Sequence, residues 1–236
     1  MSNFEILKFD SELFGCGVAK IIVPRLDFHD LREVLSELKK LNVQLVYWAS
    51  DSLDKNSQKA AQELNGSLCS EQVTYLIDLS KAEPFTSDAK EYTATIVTPE
   101  LETLALAAGK YSRFVCDPKF PHAFFVKLYQ NWIVNSVNKT IARKVLVVEW
   151  QQKIVGMITL GEKNKRGDIG LVGIAEGFRG QGFGQQLVRA AQQDFIAQGY
   201  GFAQVVTQHA NVPACKLYEK CGFRVEKIEN YYHFWL

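Results

Sequence analysis

Arg179-Gly180-Gln181-Gly182-Phe183-Gly184 is a glycine-rich turn between a strand-like run and a helical stripe. Upstream, Asp168-Ile169-Gly170-Leu171-Val172-Gly173-Ile174-Ala175 has β character; downstream, Leu187, Val188, Ala191 and Phe195 recur at helical spacing. A strand, a glycine turn and a helix start together make an anion site. Glycines let the main chain approach a phosphate, the free N–H groups of the first helical turn point at it, and Arg179 adds a fork of donors. Taken alone, such a turn also serves as a mere tight connection. No Gly-Lys-Ser/Thr follows, which excludes a Walker loop, and no long βαβ series follows, which argues against a dinucleotide fold.

A second constellation lies about thirty residues on. The strand-like run 204–208 leads into Asn211, suited to an N-cap, and Pro213, tolerated in a first turn. Ala214, Leu217, Tyr218 and Cys221 share a helical face, and Gly222 suits the helix end. Tyr218 reads either as a core aromatic beside Leu217 or as a proton donor at a cleft.

The first segment resembles the Gln/Arg-x-x-Gly-x-Gly/Ala pyrophosphate signature of the GNAT superfamily of acyl-CoA N-acyltransferases. The second resembles that superfamily's later motif, Asn-x-x-Ala-x-x-Leu-Tyr-x-x-x-Gly-Phe. The resemblance implies an α/β (α+β) fold whose mixed, centrally splayed sheet is flanked by helices. It implies an acyl-CoA co-substrate held by Val172, Gly173, Ile174, Arg179, Gly180, Gln181, Gly182, Phe183, Gly184, Asn211 and Lys216, with the strand splaying near Gly173. Tyr218, matching a tyrosine that faces the coenzyme A thiol, is the expected catalytic acid. A phenol at pKa ~10 and a thiol at ~8.5 make proton transfer uphill by only ~2 kcal/mol. An amine near pKa ~8 has a useful neutral fraction, so no strong base is needed and a water relay to Glu149, Asp168 or His209 would suffice, though each of the three reads more readily as structural.

For the acceptor, a wider likeness enters. The opening Asp10-Ser11-Glu12-Leu13-Phe14-Gly15, the stretch from Tyr111 to Phe120 and the run 128–135 resemble bacterial nucleotide-sugar N-acyltransferases of the TDP-fucosamine acetyltransferase type. Only residues 145–223 match motif for motif. The likeness implies a dTDP-amino-dideoxy sugar, acylated for surface polysaccharide with an acetyl or a bulkier group such as 3-hydroxybutanoyl. Arg113 and Lys119 suit phosphates, and Tyr111, Phe114 and Phe120 suit a base or sugar. Asp117, Asn131 or Asn135 suit sugar hydroxyls or the amine. His122 reads more readily as a packing or capping residue than as a base. Open alternatives are acetylation of a protein N-terminus, a polyamine or an aminoglycoside, and a coenzyme-A-binding regulatory module without turnover.

The elements that must position these groups fill a chain of 236 residues, 47% hydrophobic and 12% aromatic, ample for a buried core. A net charge of +1 argues against nucleic acid as a partner. Five scattered cysteines and four dispersed histidines suggest neither a disulfide frame nor a metal site. The N-terminus lacks signal-peptide blocks and no run nears ~20 apolar residues, so a cytoplasmic protein without membrane association is expected. Exposed terminal strands favour a homodimer.

The polar stretch 80–88 suggests a boundary between an N-terminal α/β unit, 1–82, and an acyltransferase unit, 90–236. The first unit reads as strands 16–23, 43–49 and 73–79 with helices 30–41 and 56–64, a degenerate half-copy of the second. In the second, 93–97 reads as a strand, 99–108 and 125–137 as helices, 145–149 and 154–160 as a hairpin, and 224–235 as one or two strands around Asn230.

Overall fold

A computed structural model describes residues 3–236. The chain runs β1 (Phe4–Ile6), α1 (Lys8–Phe14), β2 (Gly17–Ile21), α2 (Phe28–Lys40), β3 (Val43–Asp51), α3 (Lys55–Glu63) and β4 (Ser67–Asp78). After a linker come β5 (Lys90–Glu91), α4 (Pro99–Ala108), α5 (Arg113–Cys116), α6 (His122–Val137), β6 (Lys144–Trp150), β7 (Lys153–Lys163) and β8 (Arg166–Ile174). The chain closes with α7 (Phe183–Ala197), β9 (Phe202–Gln208), α8 (Val212–Lys220) and β10 (Arg224–Trp235).

Local chemistry sets these boundaries. Asp27, Asp54, Thr98 and Asn211 cap α2, α3, α4 and α8 by accepting main-chain N–H groups, and Pro99 and Pro213 occupy first turns. Gln151 and Gln152, with φ of 47° and 63°, turn β6 into β7.

All ten strands form one sheet, in the order β1-β2-β3-β10-β4-β9-β8-β7-β6-β5. β2 pairs with β3 and β8 with β9 in parallel; the other neighbours are antiparallel. The central six strands, β2-β3-β10-β4-β9-β8, are a palindrome of connections. β2-α2-β3-α3-β4 on one side answers β8-α7-β9-α8-β10 on the other, and each series places its last strand beside the other's middle strand. Helices pack on both faces. Leu187, Val188, Ala191 and Phe195 of α7 are buried against β7, β8 and β9, and Leu31, Val34, Leu35 and Leu38 of α2 against β3.

One expected element differs. Residues 93–97 are not a strand: the Tyr92 hydroxyl donates to the Ile96 carbonyl at 2.5 Å, closing a loop that leaves Ile96 exposed. Before the loop, Lys90 and Glu91 pair with β6, and the Tyr92 N–H still reaches the Val145 carbonyl at 2.9 Å. The tail is one strand of 12 residues, with Asn230 paired in mid-strand to Ser50 and Glu71; register shifts near Glu226 and Tyr231 absorb its bend. No helix among the described residues is long and apolar enough to cross a membrane.

Candidate active site

β8 and β9 run in register only at Gly167, Asp168 and Ile169 and then part. The splay thus begins before Gly173, where the sequence reading put it. Its cause is a bulge. The buried Thr159 hydroxyl accepts the N–H of Leu171 at 2.8 Å, interrupting the β7–β8 ladder between Ile158 and Leu160. Gly170 permits this approach, because a Cβ there would lie 2.7 Å from Thr159 Oγ1.

Beyond the bulge the strand presents free donors to the gap. Ala175 N–H reaches the Val155 carbonyl at 2.8 Å. Alternation along the antiparallel pair then turns Gly173 toward Met157 and leaves the N–H groups of Val172 and Ile174 facing away from β7. Of the three residues expected to hold the pantetheine arm, Val172 and Ile174 have the right polarity; the Gly173 N–H is spent in the sheet.

The glycine turn follows. Gly180 and Gly182 adopt φ of 75° and 88°, a region that L-residues avoid, and no side chain caps the start of α7. The first N–H groups of that helix are open to an anion. Arg179 Nε donates to the Ile174 carbonyl at 3.2 Å, which holds the guanidinium at the mouth. The Gln181 side chain folds back onto the Gly177 carbonyl, and Phe183 packs against Trp150 and Phe178. Their share in the turn is confined to the main chain.

A cleft of about 660 Å³ opens between these elements. Val172, Gly173, Ile174, Arg179, Gly180, Gly182, Gly184, Asn211, Lys216 and Tyr218 line it, together with Tyr111, Arg113 and Phe114. Tyr218 is 4% exposed, its ring 5.8 Å from that of Tyr75. Burial, with the neighbouring thiols of Cys215 and Cys221, raises its phenol above the ordinary value, so it stays protonated. The cost of giving up that proton therefore exceeds the figure for unperturbed groups.

Five acceptor candidates lie elsewhere, Asp117, Lys119, Phe120, Asn131 and Asn135. Asp117 is buried with both oxygens engaged: Oδ2 accepts from Trp235 Nε1 at 2.9 Å and meets His233 Nδ1 at 2.7 Å, while Oδ1 accepts the N–H of Lys119 at 2.9 Å. Phe120 is buried, its ring 4.8 Å from Phe114 and 5.2 Å from Phe14. Asn131 donates to the Lys127 carbonyl of its own helix at 2.8 Å. These residues shape the wall behind Arg113 and α6. His122 also falls outside the cleft lining. So do the base candidates: Glu149 pairs with Lys90, Asp168 accepts from Gln204, and His209 faces Glu71.

Unforeseen lining residues include Lys110, Ser112, Tyr129, Trp132 and Lys220. Lys110 and Ser112 flank chosen positions, and Lys220 lies one turn beyond Lys216. Five cations, Lys110, Arg113, Arg179, Lys216 and Lys220, line the cleft, and among the described residues no aspartate, glutamate or histidine does.

Residues 111–223 match the family model of the acetyltransferase (GNAT) family. That match spans just under half of the chain, so over this stretch the chain is similar to GNAT acetyltransferases. Over 124 residues it is 26% identical to the spore coat polysaccharide biosynthesis protein SpsD of Bacillus subtilis (strain 168), covering 52% of this chain and 43% of that protein. Over 79 residues it is 33% identical to streptothricin acetyltransferase of Escherichia coli, covering 33% and 45% respectively. The chain thus spans less than half the length of these curated relatives. A GCN5-related N-acetyltransferase from Sphaerobacter thermophilus has the same fold, with a TM-score of 0.63 at 15% identity over 98% of this chain and 76% of that one. GNAT acetyltransferases take acetyl-CoA or another acyl-CoA as co-substrate, and the uncapped start of α7 beside Arg179 suits its pyrophosphate.

Proposed function

We propose that this chain is an N-acyltransferase that moves an acetyl or short hydroxyacyl group from acyl-CoA to the amine of a dTDP-linked amino-dideoxy sugar. The observation that carries the reading is the charge of the cleft: five cations and no acid among its described lining residues. Such a lining suits coenzyme A and a second substrate that is itself anionic. It opposes polyamines and aminoglycosides, which call for carboxylates. The printed name of the Bacillus relative, a polysaccharide biosynthesis protein, supports the sugar assignment.

In this reading the Gly180–Gly184 turn and Arg179 hold the pyrophosphate, with Asn211 and Lys216 beside it. The N–H of Val172 or Ile174 donates to the thioester carbonyl as charge builds there. The amine attacks the thioester carbon, the C–S bond breaks, and Tyr218 donates to the sulfur as the amine loses its proton to water. No carboxylate or imidazole is needed as base, because the surrounding cations disfavour a protonated amine. Segments 1–82 and 90–236 act as two related units of one enzyme working on cytoplasmic acyl-CoA.

Incubation with acetyl-CoA and a panel of dTDP-amino sugars, polyamines and aminoglycosides, followed by mass spectrometry, tests the proposal. Acylation of a dTDP-amino sugar is the expected product. Exclusive acylation of a polycation would overturn it. Coenzyme A binding with no acylated product from any amine would favour the regulatory module.

A further inference from the structure

Arg113 opens α5 over the sheet at β3 and β10. Its guanidinium carbon lies 4.1 Å from the ring centre of Phe114, 4.5 Å from Tyr231 and 4.7 Å from Tyr47. These π faces steady the cation yet occupy none of its five N–H donors. Among the described residues no carboxylate comes within ion-pair contact of Arg113; Asp10 feels its charge only at longer range. Arg113 Nε is buried without a hydrogen-bond partner, and the buried hydroxyl of the adjacent Ser112, beside Tyr129, also lines the cleft.

The cage is fixed from behind. Asp117 closes α5 by donating its N–H to the Arg113 carbonyl at 3.1 Å, and its carboxylate is clamped to His233 and Trp235 of β10. Tyr231 stands two residues before His233 on the same face of that strand. Two further strands, β4 and β9, separate β10 from β8. At about 4.8 Å per strand that places Arg113 roughly 14 Å from the phosphate turn, too far to share the coenzyme's pyrophosphate.

We propose that Arg113, with Ser112 beside it, is an anion anchor of the acceptor site and takes an oxyanion of the incoming amine. This deepens, and rests on, the acceptor reading above. The oxyanion is the diphosphate of a nucleotide sugar or the carboxylate of an amino-acid-like amine; both present paired oxygens to a guanidinium fork. The residues that cage it come from both units of the chain, which gives the N-terminal unit a direct part in choosing the acceptor.

Calorimetry on the full chain, with the donor site saturated by coenzyme A, tests the anchor with two probes, dTDP and β-alanine. The anchor predicts that dTDP binds the parent protein, binds R113K at least tenfold more weakly, and shows no heat with R113A, while both variants keep their coenzyme A affinity. Unchanged dTDP affinity in R113A overturns the anchor and leaves the nucleotide-sugar reading standing. Binding of β-alanine but not dTDP, abolished by R113A, supports the anchor and overturns the nucleotide sugar. Neither probe binding the parent protein overturns both. Equal losses of coenzyme A and dTDP affinity in R113K show Arg113 to be structural and overturn the anchor.

Discussion

Arg179 Nε donates to the carbonyl of Ile174 at 3.2 Å, tying the entrance of the glycine turn to the end of the splayed strand. The two halves of the proposed donor site, main-chain donors on β8 and the start of α7, are thereby held at one spacing. Arg179→Ala loses both the tie and a charge. The expected outcome is a rise of about tenfold in KM for acetyl-CoA with a smaller change in kcat, read from steady-state kinetics at fixed ionic strength.

Tyr218→Phe removes a hydroxyl and keeps the ring that packs on Tyr75 and Phe223. Loss of the acid should lower kcat by about 100-fold, at the lower end for general acids, with coenzyme A affinity unchanged. Calorimetry and initial rates separate the two quantities. An unaltered kcat would remove Tyr218 from the chemistry.

Gly182 sits at φ 88° with nothing within 4 Å of a built Cβ, so substitution meets strain and no clash. Gly182→Ala should therefore cost about 1 kcal/mol through the backbone alone, felt as weaker coenzyme A binding and a Tm lower by a few degrees. Equal coenzyme A affinity in the variant would show that the turn does not need this conformation.

The Asp117–His233 pair makes stability depend on pH. Burial lowers the His233 pKa, against the pull of Asp117; burial would raise Asp117, but its hydrogen bonds from His233, Trp235 and the Lys119 N–H outweigh that and lower it. Both groups titrate lower folded than unfolded, so the stability they confer is full above their unfolded values. That share is lost as pH falls, first through the histidine range below about 6.5, then through the carboxylate range below about 4. Thermal melts should show Tm falling between pH 7 and 5 in the parent protein and a flatter profile in His233→Gln. A profile that falls equally in the variant assigns the dependence elsewhere.

An amine bound among five cations titrates lower than it does in water. The midpoint in kcat should accordingly lie below that in kcat/KM, which follows the free amine near pKa ~8. Coincident midpoints would mean that the lining does not act on the amine.

The glycine turn and the Asn211-capped helix were legible in the sequence because the residues of each are contiguous. A glycine turn between a strand and a helix, and an Asn-capped helix carrying Tyr218, each state their geometry within about fifteen residues. The bulge was not, since it depends on Thr159 from a different strand, and without it the splay was placed near Gly173 instead of after Ile169. Asp117 and Phe120 were misassigned for a similar reason. Nothing near them shows that β10 returns to clamp that loop with His233 and Trp235. The β-branched run 93–97 has strand propensity, but Tyr92 captures it into a loop that exposes Ile96.

The interleaving of β4 and β10 has a practical consequence for dissecting the molecule. A truncation at the linker would leave each fragment with an open slot between two strands and a loose ribbon with no place of its own. Separate expression should yield sticky, poorly soluble pieces, whereas co-expression should let them complement one another into a nicked but whole molecule.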